Sequence, residues 1–253
     1  MERTDSWERP VTRWSPVPVL AAYYDAVIII CELAAQFSDE AWDNPTPCAD
    51  WRAADLAGHL RCVADDYHEY LDDAPASRLA RLLATGAHPD TLARKLARQN
   101  AAELAALPDA SGAAHVAAFA ESARAYARRL WPVWNLPHHR YRDTVVTVAG
   151  MAGASCAEWH LHAWDLAMAL GAEYRPADPA AVLAGWLAGM PHLPLPPRSR
   201  SQGGWSARHL DPWQAVLAVS GRRSPGSMAR TRPAGWVRKR LRRKDDLRLG
   251  RKG

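Results

Sequence analysis

A carboxylate and an imidazole lie four residues apart in an apolar, helix-favouring run of the sequence, residues 157–167. These two side chains are Glu158 and His162. At 3.6 residues per turn they are about 40° apart on one helical face, so they can bind one cation together. His160 lies about 200° from Glu158 and faces elsewhere. An open catalytic site of the zinc type has three protein ligands, so the third must come from another element.

The candidate for the third ligand is His59, about a hundred residues upstream, in the middle of a predicted helix. A buried imidazole needs a partner, because an unpaired buried polar group costs about 1–3 kcal/mol. Two interpretations are open. His59 could be a core histidine bonded to a backbone carbonyl. Alternatively, it could join His162 and Glu158 in a metal site of two histidines and one carboxylate, with room for water or substrate.

The elements that must position these residues are helices. Alanine is abundant while phenylalanine and β-branched residues are sparse, which favours helix. Apolar spacing, caps and breaks predict helices over 18–37, 52–71, 91–107, 113–130, 152–170 and 179–189, a short apolar element at 211–219 and a short strand at 143–148. Residues 132–142 are expected to be irregular. Gly171 is the expected C-cap of the helix that carries Glu158, and Asp178 is the expected N-cap of the next helix. Several amphipathic helices with modest links indicate a bundle, a fold that commonly builds metal sites between helices.

The charges are distributed unevenly along the chain. The formal net charge is +5, but residues 224–253 contain eleven Lys/Arg and two Asp, so the rest is mildly acidic. We predict a polar leader over 1–16, a helical bundle over 17–223 and a basic, disordered tail over 224–253. The tail could bind anions such as phosphate backbones or an anionic membrane surface. It has one aromatic residue, Trp236, and no recognisable nucleic-acid-binding fold, so no specific nucleic-acid partner is predicted.

Cysteine usage and the N-terminal segment favour a cytoplasmic protein. The four cysteines form no C-x-x-C pair and the first residues are polar, so reduced thiols and no secretory leader are expected. The most hydrophobic run, residues 19–35, is about 17 residues long and contains Asp25 and Glu32. It is therefore predicted to be a buried core helix and not a transmembrane segment. The sequence leaves the oligomeric state open.

Three blocks of the sequence resemble motifs of the DinB-like superfamily, in particular of its mycothiol-dependent maleylpyruvate isomerase branch. The first block runs from Trp42 through Trp51 to Leu60, and includes His59. Residues 158–167 are similar to the E-x-x-x-H-x-W-D-L-A helix of that branch, and residues 217–222 resemble the L-A-x-x-G-R ending of single-domain members. The resemblance extends over roughly residues 17–223.

The resemblance implies an all-α, DinB-like four-helix bundle with additional short helices and a minor strand segment. It also implies a divalent metal, zinc in the isomerase, bound by His59, Glu158 and His162, which the spacing had already selected. Asp165 lies about 20° from Glu158 on the same face and could orient a ligand, although capping or solvation is equally expected. Arg222 could act in catalysis by pairing with an anionic substrate or cofactor, or it could be a plain surface charge.

The chemistry that the resemblance implies is metal-assisted thiol chemistry with mycothiol as the cosubstrate. A cation stabilises a bound thiolate near neutral pH, which predicts isomerisation or S-transfer on a small electrophile. The alternative is a non-catalytic metal-binding module used in stress response or in binding another protein. Cys48 is not needed as a nucleophile and is expected to be a structural thiol beside Trp51.

The sequence departs from the family pattern at three places. Ser155 stands where an arginine is frequent, and Arg52 stands where a Thr or Ser cap is usual, so Asp50 would have to cap the second helix. About 50 residues separate Gly171 from Arg222, too few for the C-terminal lobe with which the isomerase binds its substrate. The fold and the metal are therefore expected, and maleylpyruvate as the substrate is not.

Overall fold

The described part of the chain is mainly helical. The structure, a computed structural model, describes residues 15–48, 50–73, 77, 81–83, 85, 88–142, 144–190 and 211–222, all within a unit that ends at Arg222. The α-helices are α1 (Pro16–Ala34), α2 (Ala53–Asp72), α3 (Pro89–Ala106), α4 (Gly112–Leu130), α5 (Val148–Leu170), α6 (Pro179–Gly189) and α7 (Pro212–Val219). Most of the predicted leader and all of the predicted basic tail lie outside the described residues.

Helices α1, α2, α4 and α5 form a bundle. Helix α2 packs against α4 and α5, α1 packs against α5 and α4, and α4 and α5 also touch each other. The shorter helices are added outside this ring: α3 lies on α2, α6 lies on α5, and α7 lies on α6. The fold prediction of an all-α bundle with additional helices and a minor strand segment is confirmed.

The centre of the bundle is an aromatic cluster around Trp159 of α5, which is fully buried. The indole lies edge-on to one ring from each of the other three helices. Its centroid is 6.3 Å from that of Tyr23 on α1, 5.7 Å from that of Tyr67 on α2 and 5.0 Å from that of Phe119 on α4. Edge-to-face pairs at such distances are favourable beyond their buried area. Because Trp159 directly follows Glu158, these contacts fix the rotation of α5 and with it the direction of Glu158.

Helix α5 begins and ends with specific caps. The hydroxyl of Thr147 accepts a hydrogen bond from the Gly150 N–H at 3.2 Å, and the helix starts four residues earlier than the sequence predicted. Gly171 ends the helix with φ of 72° and the Ala172 N–H donates to the Ala167 carbonyl, as the predicted glycine C-cap requires. These caps define the 23-residue helix that carries Glu158 and His162.

A two-stranded antiparallel hairpin precedes α5, with β1 at Pro137–Tyr141 and β2 at Thr144–Thr147. Strand β2 lies within the strand predicted at 143–148. The expectation that residues 132–142 are irregular is wrong for β1. This strand forms because it pairs with β2 across a turn in which Arg142 has φ of 50°, and a pairing of that kind leaves little trace in the composition of β1 itself.

Helix α1 is the described helix that is long and apolar enough to cross a membrane, with a mean hydropathy of 1.8. Core helices of soluble proteins pass the same test of length and composition. Here α1 contributes Tyr23, Ala26, Val27 and Ile30, all fully buried, to the core of the bundle. The predicted core position of this segment is what the structure shows.

Candidate metal centre

The structure brings His59, Glu158 and His162 together between α2 and α5. The Nε2 atoms of His59 and His162 are 3.9 Å and 4.0 Å from the same carboxylate oxygen, Oε1 of Glu158. One ligand atom of each residue lies within 4.8 Å of the others. The imidazole centroids are 5.1 Å apart and the rings are nearly perpendicular. Two imidazole nitrogens and a carboxylate oxygen therefore face one small volume.

The spacing of these atoms fits one divalent cation. Zinc bonds to imidazole nitrogen and carboxylate oxygen are about 2.0–2.2 Å long, which places two tetrahedral ligand atoms about 3.3–3.6 Å apart. The observed separations of 3.9 Å and 4.0 Å exceed this by a few tenths of an ångström, which side-chain rotation can supply. The donor set of two histidines and one carboxylate is that of catalytic zinc sites.

His59 is held by packing. Its ring is buried, with 4% of its surface exposed, and lies 4.7 Å from the Trp51 ring between their centroids. Its Nδ1 has no hydrogen-bond partner among the described residues. Burial and the positive charges of His162 and Arg222 hold the pKa of His59 well below its ordinary value. A neutral imidazole is the form that binds a metal, so this environment keeps His59 ready to act as a ligand.

His162 is held by hydrogen bonds. Its Nδ1–H donates to Oδ2 of Asp165 at 3.0 Å, and Arg222 binds the same carboxylate with Nε at 2.9 Å and Nη2 at 2.5 Å. Asp165 is completely buried, and the Arg222 side chain is 15% exposed. A metal-ligating histidine usually donates its second N–H to a carboxylate or carbonyl, which fixes the tautomer and turns the other nitrogen to the ion.

The charges of this network shift the pKa values of its members. Burial lowers the pKa of His162, but its hydrogen bonds to Asp165 and Cys48 outweigh burial and raise the pKa to about 9. Burial acts to raise the pKa of Asp165, and its bonds to Arg222 and His162 reverse that and hold the pKa far below its usual range. Burial raises the pKa of Glu158, although His162 and the Tyr67 hydroxyl, which donates to Oε2 at 3.0 Å, oppose the shift.

Cys48 joins the same network, which the sequence did not indicate. Its Sγ–H donates to Oδ2 of Asp165 at 3.2 Å, and Nη2 of Arg222 lies 3.8 Å from the sulfur. The expectation for Cys48 was a structural thiol beside Trp51, and this expectation did not include the polar contacts of the thiol. Cys48, His162 and Asp165 also form a group with metal-ligand spacing. The bidentate guanidinium of Arg222 already neutralises Asp165 there, which makes the His59, Glu158 and His162 group the better cation site.

Two roles were expected for Arg222, and one of them, a plain surface charge, is wrong. The first turn after α7 carries it back to α5, where its guanidinium is buried against Asp165. The predicted role of Arg222 in catalysis stays a prediction. The same holds for the orienting role of Asp165 and for the predicted metal ligands His59, Glu158 and His162. The geometry places all five side chains at one site.

The link before α2 positions Cys48 and Trp51. The Trp51 carbonyl accepts a hydrogen bond from the Thr46 N–H at 3.0 Å, and Asp50 has φ of 69°. Asp50, the cap candidate that the sequence offered, does not cap α2. The carboxylate of Asp55 accepts the Arg52 N–H at 2.9 Å instead, which is the half of a capping box that the N3 residue provides. Asp50 lies two residues before the N-cap position, which Arg52 occupies.

The three candidate ligands line a cleft of about 670 Å³. Its wall combines large apolar side chains with a few polar ones, a composition typical of small-molecule sites. The lining residues besides the three ligands include Cys48, Trp51, Leu161, Trp186, Met190 and Arg222. Helices α3, α6 and α7 contribute residues to the wall of this open cleft beside those of α2 and α5.

A family model described as the mycothiol maleylpyruvate isomerase N-terminal domain matches residues 26–167 of the chain, more than half of its length. The match begins within α1 and ends within α5, so it includes all three candidate ligands and Asp165, while Arg222 lies beyond it. No curated protein and no solved structure matches the chain.

Proposed function

The chain belongs to the mycothiol maleylpyruvate isomerase N-terminal domain family, and from this membership we propose that it is a divalent-metal enzyme that uses mycothiol. The proposed reaction is thiol transfer to, or thiol-assisted isomerisation of, a small electrophile. Zinc is the proposed metal. One observation carries the proposal: three side chains with the donor set of a catalytic zinc site lie in the wall of a cleft large enough for a small molecule.

The residues of the chain have distinct parts in this proposal. His59, Glu158 and His162 would hold the ion, which when bound favours the thiolate form of a thiol and polarises an electrophile. Asp165 keeps the proton on Nδ1 of His162, so that Nε2 offers its lone pair to the cleft. Arg222 keeps Asp165 ionised. Trp51 and Trp186 supply apolar surface to the wall of the cleft.

The substrate is not proposed to be maleylpyruvate. The isomerase binds that compound with help from a C-terminal lobe, and the segment between Gly171 and Arg222 is too short to supply one. Beside the ligands, the described wall of the cleft offers the apolar surfaces of Trp51, Trp186 and Met190, together with polar groups that include Asn100, Ser220 and Arg222. We propose a small electrophile with an apolar part that packs on these apolar surfaces. The four cysteines are free thiols, which supports a reduced, cytoplasmic setting for the reaction.

Calorimetric titration of mycothiol tests the proposal. The zinc-loaded protein is expected to bind mycothiol, and protein stripped with a chelator is expected to bind it at least about tenfold more weakly, because the ion stabilises the thiolate. His162→Ala should behave like stripped protein. His160→Gln is the matched control, since His160 lies on the same helix and bonds to Tyr174, away from the cleft. Equal binding with and without metal would contradict the proposal.

A turnover assay separates the enzyme from a non-catalytic metal-binding module. Zinc-loaded protein, mycothiol and a panel of small electrophiles, for example a bromobimane and a chlorodinitrobenzene, are followed for thiol adduct formation. Metal-dependent turnover that His162→Ala abolishes supports the enzyme. Metal-dependent thiol binding with no turnover of any member of the panel would instead favour the module.

A further inference from the structure

Cys48 places a protein thiol in the wall of the cleft that holds the candidate metal ligands. The side chain is half-buried and lines the cleft. Its sulfur lies on the Nδ1 side of His162, where it donates to Asp165 at 3.2 Å, whereas Nε2 of His162 faces Glu158. Ligand atoms of Cys48 and His162 lie within 4.8 Å of each other. One cavity is therefore shared by a protein thiol and the proposed binding place of a small thiol.

We propose that Cys48 is a modification site, which exchanges with the disulfide form of the small thiol cosubstrate to give a mixed disulfide. The inference rests on the proposed function, because the thiol chemistry of the cleft comes from it. A disulfide of two copies of that thiol presents two sulfur atoms. When one half occupies the cleft beside His162, the bond to the other half can reach Cys48, because Cys48 and the candidate ligands line the same cleft.

The exchange needs no reactant beyond the disulfide. The sulfur of Cys48 attacks one sulfur of the small disulfide, a new sulfur–sulfur bond forms, and the original one breaks. The departing half takes the proton that Cys48 loses and leaves as a free thiol. Cys48 is oxidised and the small disulfide is reduced by the same two electrons. A second molecule of the thiol reverses the reaction and regenerates Cys48.

The other three cysteines lack this setting. Cys156 is buried, which raises the pKa of its thiol. Cys62 is half-buried on α2, and burial together with Glu103 and Asp66 raises its pKa to about 11. Cys31 is half-buried and packs against the core. None of the three is among the described residues that line the cleft. The structure therefore singles out Cys48 for exchange with a ligand of the cleft.

The adduct would act as a reversible block of the metal centre. The small thiol, once bonded to Cys48, lies in the space from which a second thiol molecule would approach His59, Glu158 and His162. The modified protein is therefore expected to lose metal-dependent thiol binding and to regain it on reduction. An oxidised thiol pool would turn the site off, and a reduced pool would restore it.

Intact-mass measurement tests the proposal on the zinc-loaded chain of residues 1–253. Mycothiol disulfide is added to the native chain and to two variants, Cys48→Ser and Cys62→Ser, with glutathione disulfide as a second probe in parallel. The native chain and Cys62→Ser are expected to gain one mycothiol half that dithiothreitol removes. Cys48→Ser should gain it at least about tenfold more slowly, in line with the dependence of exchange on thiol environment. Mycothiol disulfide should react faster than glutathione disulfide at Cys48.

Two results would overturn the inference: equal modification of Cys48→Ser and the native chain, or no adduct on the native chain under conditions that modify the unfolded chain. A mycothiol titration of the unmodified native chain keeps this test separate from the proposed function. If zinc-dependent binding occurs without an adduct, only the inference at Cys48 fails. If an adduct forms at Cys48 but mycothiol does not bind in a zinc-dependent way, the proposed function fails and the thiol exchange stands alone.

Discussion

The two histidines of the candidate metal centre are held in opposite ways. His162 on α5 is fixed by a polar chain, in which its Nδ1–H binds Asp165 and Arg222 binds the same carboxylate. His59 on α2 is fixed by shape: its ring packs 4.7 Å from that of Trp51, and its Nδ1 has no hydrogen-bond partner among the described residues. One ligand therefore depends on charge and the other on packing.

The difference has consequences for how each side of the site can fail. The carboxylate of Asp165 selects the tautomer of His162 and makes this imidazole more basic. The same hydrogen bond also makes His162 hold a second proton, which a metal must displace. Packing leaves His59 neutral and free of that competition, but it fixes the ring less directly. Variants on the two sides should therefore differ in how much they lower zinc affinity and in how zinc affinity depends on pH.

The largest effect is expected when a ligand is removed. His162→Ala and His59→Ala should each lower zinc affinity by more than about 100-fold, the upper end of the loss caused by removing an outer partner of a ligand. Competition titrations with a chromogenic chelator measure this. His160→Gln provides the control on α5. Zinc affinity within a factor of about two of the native value in either alanine variant would show that the removed histidine is not a ligand.

Asp165→Asn should have the next largest effect, because it removes the carboxylate that both His162 and Arg222 use. Zinc affinity measured near pH 9, where proton competition at His162 is small, should fall by about 10–100-fold. The free energy of unfolding should fall by about 3–5 kcal/mol, since the buried Arg222 guanidinium loses its counter-charge. Urea unfolding measures the second quantity. The double variant Asp165→Asn/Arg222→Met should recover part of the stability but not the zinc affinity, and loss of both in parallel would contradict the separate roles.

The pH dependence of zinc binding distinguishes the two histidines. With its pKa raised to about 9 in the metal-free protein, His162 is protonated at pH 7 and must release a proton when zinc binds. Affinity should therefore rise by about tenfold per pH unit from 7 towards 9 and level off above it. His59, whose pKa is lowered, adds no dependence in this range. Asp165→Asn should flatten the rise, because it removes the bond that holds the proton on His162.

Trp51→Ala should have the smallest effect on zinc affinity. It removes the ring that packs on His59, so the imidazole gains freedom but keeps its donor atom. Zinc affinity should fall by less than about tenfold, the range expected when a ligand loses packing and not a bonded partner. The rise in affinity between pH 7 and 9 should stay unchanged, since His162 keeps its network. A flattened pH profile in this variant would show that the two sides are not independent.

Spacing along a single helix made part of this site predictable. Glu158 and His162 are four residues apart, and the helix that carries them has the sequence signals of its C-cap and of its apolar packing. Their common face follows from helical geometry alone. His59 required the resemblance as well, because nothing in its own helix distinguishes a ligand from a core histidine.

The network around Asp165 could not be predicted in the same way. Cys48 meets Asp165 across 117 positions of the sequence and Arg222 across 174 positions. Their approach depends on the left-handed turn at Asp50 and on the position of α7 against α6. Strand β1 was missed for a similar reason, since it exists through pairing with β2. Contacts that depend on the path of two loops leave no periodic pattern in the local sequence, so sequence periodicity does not predict them.

X-ray absorption spectroscopy at the zinc edge tests the central claim most directly, because it identifies the atoms bound to the ion in thiol-free protein. We expect nitrogen and oxygen neighbours at about 2.0–2.2 Å, with the outer-shell scattering of two imidazole rings from His59 and His162. His59→Ala should lose one of the two rings. A sulfur neighbour at about 2.3 Å would instead place the ion between Cys48, His162 and Asp165, and would contradict the assignment of the metal centre.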